Sequence, residues 1–212
     1  MENFIVFEGC DGSGTSTQME LLRENFARVC PGRAFFATAE PTGGEIGRLI
    51  RRALQNSPAL LPETLAALFA ADRNEHLFAP GGLRERCLRG ELAACDRYVL
   101  SSLAYQGIDC GEELPRILNR GFPAPGLLLF FDLDPLIARE RMRERASLDI
   151  FENIEFQRKV RERYLSLLGE CRAAGVAVEV IDASRDPEKV ARDVWRAASK
   201  MPIMSAGAAL DA

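Results

Sequence analysis

Residues 7–18 read FEGCDGSGTSTQ, and the fold turns on how this stretch is understood. Gly9, Gly14 and Ser16 fall on the phosphate-binding pattern G-x-x-x-x-G-K-[ST], but Thr15 stands where that pattern has lysine. The run before it, NFIVFEG, is short, apolar and closed by glycine, as a buried strand is. Residues 15–29 follow with Met19, Leu22, Phe26 and Val29 at helical spacing. A strand, a glycine turn and a helix N-terminus make a concavity for anions. Backbone N–H groups converge there, the helix dipole favours negative charge, and glycines keep side chains away. Gly9, Gly12, Ser13, Gly14, Thr15, Ser16 and Thr17 are therefore candidate phosphate ligands. The competing reading is a tight strand–helix turn that binds nothing.

Outward from this loop the same alternation continues. RAFFATAEP is a second strand stopped by Pro41, GELAACDRY a third, GLLLFFDLD a fourth and VAVEVIDA a fifth. Helical patterns lie between them, including EIGRLIRRAL, PETLAALFAADRNEHLF with Pro62 in its first turn, and VLSSLAYQG. PLIARERMRER and a long helix that Gly175 would cap precede the fifth strand, and DPEKVARDVWRAAS follows it. Strands apolar on both faces, alternating with helices, imply an α/β fold: a five-stranded parallel sheet flanked by helices on both faces. Ligands of such sheets bind beyond the carboxyl ends of the strands, where the glycine loop, Glu40-Pro41, Asp96-Arg97 and Asp132 all fall. Asp96 with the Ser16 hydroxyl could hold Mg²⁺, partly through water, and Arg97 could clamp a phosphate. Arg141, Arg143 and Arg145 could present guanidinium groups to a polyphosphate. A solvated helix face explains their spacing equally well. His76, the single histidine, is expected on a helix surface.

Composition narrows the rest. The 212 residues suit one domain, over 1–200, with 201–212 expected as a frayed tail of small residues. A net charge of −4 gives no reason to expect nucleic acid or an anionic membrane as a partner. Three of the 27 basic residues are lysine, a bias that phosphate handling could exploit but that a general arginine preference also explains. Six scattered cysteines, without a C-x-x-C pair, fit neither a zinc site nor a disulfide scaffold and suit a reducing compartment. With no signal-peptide pattern, and GLLLFF too short to cross a bilayer, a cytoplasmic location is expected.

The segments FIVFEGCDGSGTSTQ, EPTGGEIGRLIR, LFAADRNEH, DRYVLSSLAYQG, FFDLDP and LDIFE occur in the order and spacing of thymidylate kinases. The chain resembles that family from about residue 2 to residue 198. The resemblance implies a P-loop kinase three-layer sandwich with a helical lid, about 141–152, and a homodimer that transfers the γ-phosphate of ATP to dTMP with Mg²⁺. It implies that Asp11 meets the sugar 3′-hydroxyl, Phe69 stacks on thymine and Arg73 hydrogen-bonds the base edge. Arg97, with Arg51, would hold the acceptor phosphate. Ser102, Tyr105 and Gln106 would line the base and sugar side, with Glu40-Pro41 bending back toward the acceptor phosphate.

Two departures stand out. Thr15 replaces the lysine that reaches the β- and γ-phosphates, and Ile150 stands where the lid motif D-R-[FYI]-E has arginine. Gly12 also means that no loop arginine compensates. One lost charge-stabilising donor typically costs about 10²–10³ in rate. The expectation is a rewired kinase in which Arg143 or Arg145 supplies the missing charge. The alternatives are a nucleotide-binding protein without useful catalysis, or a kinase of another pyrimidine monophosphate such as dUMP.

Overall fold

A computed structural model describes residues 1–55, 58–143 and 154–205. In chain order the elements are β1 (Phe4–Gly9), α1 (Thr15–Val29), β2 (Phe35–Ala39), α2 (Glu45–Leu54), α3 (Pro62–Phe78) and α4 (Leu83–Leu88). Then come β3 (Leu92–Asp96), α5 (Val99–Asp109), α6 (Glu113–Asn119), β4 (Leu127–Asp132) and α7 (Pro135–Arg143). The chain continues with α8 (Ile154–Ala173), β5 (Val178–Asp182), α9 (Pro187–Ala198) and the single turn α10 (Pro202–Ser205). The five strands form one parallel sheet in the order β2-β3-β1-β4-β5.

The two-residue period of the strands divides the core. Ile5 and Phe7 of β1, with Leu127, Leu129 and Phe131 of β4, face α1 and α9, packing on Leu22, Phe26, Val190 and Val194. The alternate residues face the other layer. Leu128 and Phe130 meet α5 and α8 through Leu100, Val160 and Tyr164, while Phe4 and Val6 meet α3 and α4 through Leu77 and Leu83. Burial on both faces is what the unbroken apolar strands required. Pro187 opens α9 and Asp186 caps it, accepting from Glu188 N at 3.0 Å, while Gly175 follows α8 at φ 83°.

The C-terminal expectation is corrected over its first residues. Met201, Ile203 and Met204 are buried in the α1–α9 layer, and Arg33 donates to Ile203 O at 3.1 Å. Small neighbours hide a short apolar anchor, one of whose partners, Arg33, lies 170 residues earlier in the chain. The helices α4 and α6 are too short to show a period in the sequence.

Register places the chemistry. Central β1 pairs with β3 so that Phe7 stands opposite Asp96, and with β4 so that Gly9 stands opposite Phe131. The glycine loop, Asp96-Arg97 and Asp132 thus leave adjacent strands at one end of the sheet.

Candidate active site

Gly14, at φ 88°, turns the chain into α1, and Ser13 N donates to Cys10 O at 3.2 Å to close the loop. Gly12, at φ 80°, lies against α7: a Cβ there would come within 2.8 Å of Ala138 O. Loop and helix therefore touch through backbone, which leaves no room for a side chain at position 12. Gly12, Ser13, Gly14 and Thr17 line one cleft together with Gln18, Arg141 and Arg185. Arg141 is held by Ala183 O at 2.9 Å and Ser184 O at 3.2 Å. Gly9 lies beneath the cleft floor, where a Cβ would meet Ser13 Oγ at 2.6 Å. Thr15 and Ser16 point elsewhere. Both hydroxyls donate to Asp96 Oδ2, each at 3.0 Å. Thr15 therefore turns toward the carboxylate, away from the phosphate cradle.

Arg97, next along, has φ 68°, a left-handed backbone that β-carbon residues rarely adopt. Its N–H donates to Phe7 O at 2.8 Å, and its guanidinium pairs with Asp11 and donates to Ser101 Oγ at 3.3 Å, lying 5.2 Å from the Tyr105 ring centroid. Beneath sits Glu8, fully buried, accepting from Tyr98 N at 2.9 Å, Ser101 N at 3.2 Å, Ser101 Oγ at 2.6 Å and Tyr164 OH at 3.0 Å. Burial pushes the Glu8 carboxyl above its ordinary value, opposed by the Ser101 and Tyr164 hydrogen bonds and the Arg97 charge. Glu8 thus fixes the start of α5 and, through Ser101, the Arg97 fork. A second cleft opens above, lined by Asp11, Glu40, Pro41, Phe69, Arg73, Arg97, Tyr105 and Gln106, joined by Leu54, Tyr98 and Ser101. The Tyr105 hydroxyl is buried with no hydrogen-bond partner among the described residues.

Two clefts thus flank one glycine loop, Asp11 facing one and Gly12 the other. The family model for thymidylate kinase matches residues 7–194. A protein of Pyrobaculum aerophilum is 42% identical over 192 residues, 90% of this chain and 93% of its own, and one of Treponema pallidum is 41% identical over 183 residues, 86% of each. Each is described, with a qualifier, as a thymidylate kinase. The chain belongs to the thymidylate kinase family.

For a member of this family, several residues stand differently from their sequence expectation. Arg73 lines the cleft but is 1% exposed, with its N–H groups engaged within the protein. Glu40 Oε2 takes Nε at 2.8 Å and the second terminal nitrogen at 2.7 Å, Asn119 Oδ1 and Tyr98 O take others, and Ser102 Oγ shares two at 3.2 Å. The Ser102 contacts are the longest and are the ones a ligand carbonyl would compete for. Ser102 itself lies buried behind Arg73. Arg51 donates to the carbonyls of Pro41 and Thr42. Asp72, unremarked in the sequence, accepts from Thr42 N and Oγ1, both at 2.7 Å, and so anchors the turn after the cis Glu40–Pro41 bond.

The surface position expected for His76 is corrected. Its side chain is 8% exposed, between Glu40 Oε1 at 3.0 Å and Thr38 Oγ1 at 2.8 Å. Helical spacing could not separate it from a solvent-facing residue, because the cleft wall that covers it comes from β2. Cys95 lies within 4.8 Å of Glu40 and His76, but burial, with Glu40, Asp96 and Glu8 beside it, pushes its thiol well up and keeps the proton on. Glu40 and His76 hydrogen-bond each other, while the Cys95 thiol turns to Arg97 O at 3.0 Å. Arg145, Ile150 and the side chain of Arg143 lie outside the described residues.

Proposed function

We propose that this thymidylate kinase transfers the γ-phosphate of ATP to dTMP, giving dTDP. The observation that carries the reading is the loop shared between two clefts. ATP phosphates over Gly12–Thr17 and an acceptor phosphate at Arg97 would be separated by little more than Asp11 and Gly12. Phosphoryl transfer of this kind needs positioning and charge more than covalent catalysis.

In this reading Arg97 holds the dTMP phosphate, tied in place by Asp11 and Ser101, and Asp11 receives the sugar 3′-hydroxyl. Phe69 faces the cleft as a stacking surface, and Tyr105 crowds the position of a ribose 2′-hydroxyl. Gln106 completes that wall, while Arg51 and Ser102 support it from behind through the Pro41 carbonyl and Arg73. Asp96 with Ser16 suits Mg²⁺, since carboxylate and hydroxyl oxygens converge there and a hard cation takes oxygen ligands. The bound ion would neutralise charge on the ATP phosphates. Thr15 is tied to Asp96, so the charge that lysine would carry falls to a lid arginine, Arg143 or Arg145. The same family reading makes the enzyme a cytoplasmic homodimer, the assembly being checked by light scattering.

The test is direct chromatography of dTDP formed from dTMP, ATP and Mg²⁺, with Asp96→Ala beside the parent to exclude a contaminating kinase. Product from the parent alone supports the reading. No product, with dTMP still bound, would make this a nucleotide-binding protein, and a preference for dUMP would reassign the substrate. Arg143→Ala and Arg145→Ala variants that both turn over like the parent would refute the lid assignment.

A further inference from the structure

A buried polar chain crosses the wall of the acceptor cleft. Thr38 on β2 meets His76 on α3, His76 meets Glu40, and Glu40 meets Arg73 one helical turn before His76. Asn119 on α6 closes the far end, itself held by donating to Pro115 O at 2.8 Å. Glu40 and Arg73 line the cleft, whereas His76 and Thr38 do not.

The proton on His76 follows from its partners. A carboxylate only accepts, so Nδ1 carries hydrogen and donates to Glu40 Oε1. Nε2 faces the Thr38 hydroxyl at 2.8 Å. Glu40 can rotate about its last bond unless both oxygens are claimed. Arg73 claims Oε2, and of the described side chains only His76 hydrogen-bonds Oε1. Rotation of that carboxylate would carry the guanidinium with it, because Nε and a terminal nitrogen share the one oxygen. Arg73 is boxed by Tyr98 and Phe122, whose ring centroids lie 5.2 and 5.6 Å from it, so a tilted fork has no second resting place.

We propose that His76 is a positioning residue of the acceptor site, holding the Glu40 carboxylate, and through it the Arg73 plane, in the orientation that receives the nucleotide base. The proposal rests on the thymidylate kinase reading and extends it to a residue that touches no substrate.

Paired substitutions separate the two ring nitrogens. In His76→Asn the amide nitrogen overlays Nδ1 and keeps the donor to Glu40. In His76→Gln it overlays Nε2 and keeps only the Thr38 contact. Calorimetric dTMP binding and the KM values for dTMP and ATP are measured for both variants, His76→Ala and the parent, with melting temperature as the folding control. Loss of one charge-assisted hydrogen bond predicts about tenfold weaker dTMP binding in His76→Ala and His76→Gln. His76→Asn is expected within about threefold of the parent, and the KM for ATP is unchanged throughout. A His76→Asn variant as weak as His76→Ala, rescue by glutamine instead, or parental dTMP binding by His76→Ala would overturn the proposal. So would an equal rise in both KM values, which marks a general structural defect. A parent that binds no dTMP at all would overturn the substrate reading and this role with it.

Discussion

Replacing Glu8 by alanine removes the acceptor of four hydrogen bonds at a site with no exposed surface. Two of the stranded donors are backbone N–H groups at the start of α5, which α5 itself cannot satisfy. Each buried polar group left unpaired costs about 1–3 kcal/mol. Some relief from water entering the vacated space brings the expected loss to about 4–6 kcal/mol. In a chain of this size 1 kcal/mol moves the melting temperature by about 2–4 °C, so a fall of about 10–20 °C is expected. Glu8→Gln keeps a carbonyl for the two N–H groups and offers its NH₂ to the Ser101 and Tyr164 hydroxyls. Its loss should stay below about 2 kcal/mol.

The two carboxamide and carboxyl forms also differ in pH dependence. Burial raises the folded Glu8 carboxyl above the ordinary 4.5, so the folded state holds this proton more tightly than the unfolded chain. That contribution to stability is complete below pH 4.5 and is lost as pH rises through the higher folded value. Glu8→Gln, which has no proton to lose, should therefore gain on the parent as pH rises from 4.5. Denaturant melts at a series of pH values measure both effects. An alanine variant that melts within about 3 °C of the parent would refute the hydrogen-bond account. Parallel pH curves for parent and glutamine variant would refute the burial account.

Three further outcomes follow from other parts of the fold. Gly12→Ala should destabilise by about 1–3 kcal/mol and weaken ATP binding, because φ 80° and Ala138 O at 2.8 Å both resist a Cβ; thermal melts and ATP titration check it. Ile203→Ala should cost about 2–5 kcal/mol in denaturant melts if the segment after α9 is core, whereas a frayed tail would lose nothing measurable. Native alkylation with iodoacetamide at pH 8, mapped by mass spectrometry, should modify half-buried Cys110 and Cys171 ahead of Cys10. The Cys10 thiol is 4% exposed and pushed by burial to about 12, so early labelling of the loop cysteine would contradict its packing under α8.

Local sequence determined the alternation of strands and helices, the glycine loop and the carboxyl-end residues that follow β1, β2 and β3. These are readable because burial on both faces leaves unbroken apolar strands, and because a loop that receives phosphate needs glycines at set intervals. The residues that orient the site were settled only by tertiary structure. Glu8 is one acidic residue at the end of an apolar strand, and nothing nearby in the chain shows that Tyr98, Ser101 and Tyr164 converge on it. Arg73, Asp72 and His76 share a helix whose spacing is the same whether its polar face meets water or the turn after β2. Met201, Ile203 and Met204 look like a tail until Arg33 and the α1–α9 layer cover them. Thr15 shows the division most plainly: sequence identifies the missing lysine, but only the parallel pairing of β1 with β3 brings Asp96 within 3.0 Å and turns the hydroxyl toward it. Periodicity reports whether a face is covered, whereas the identity of a polar side chain's partner depends on which distant strand the fold lays beside it.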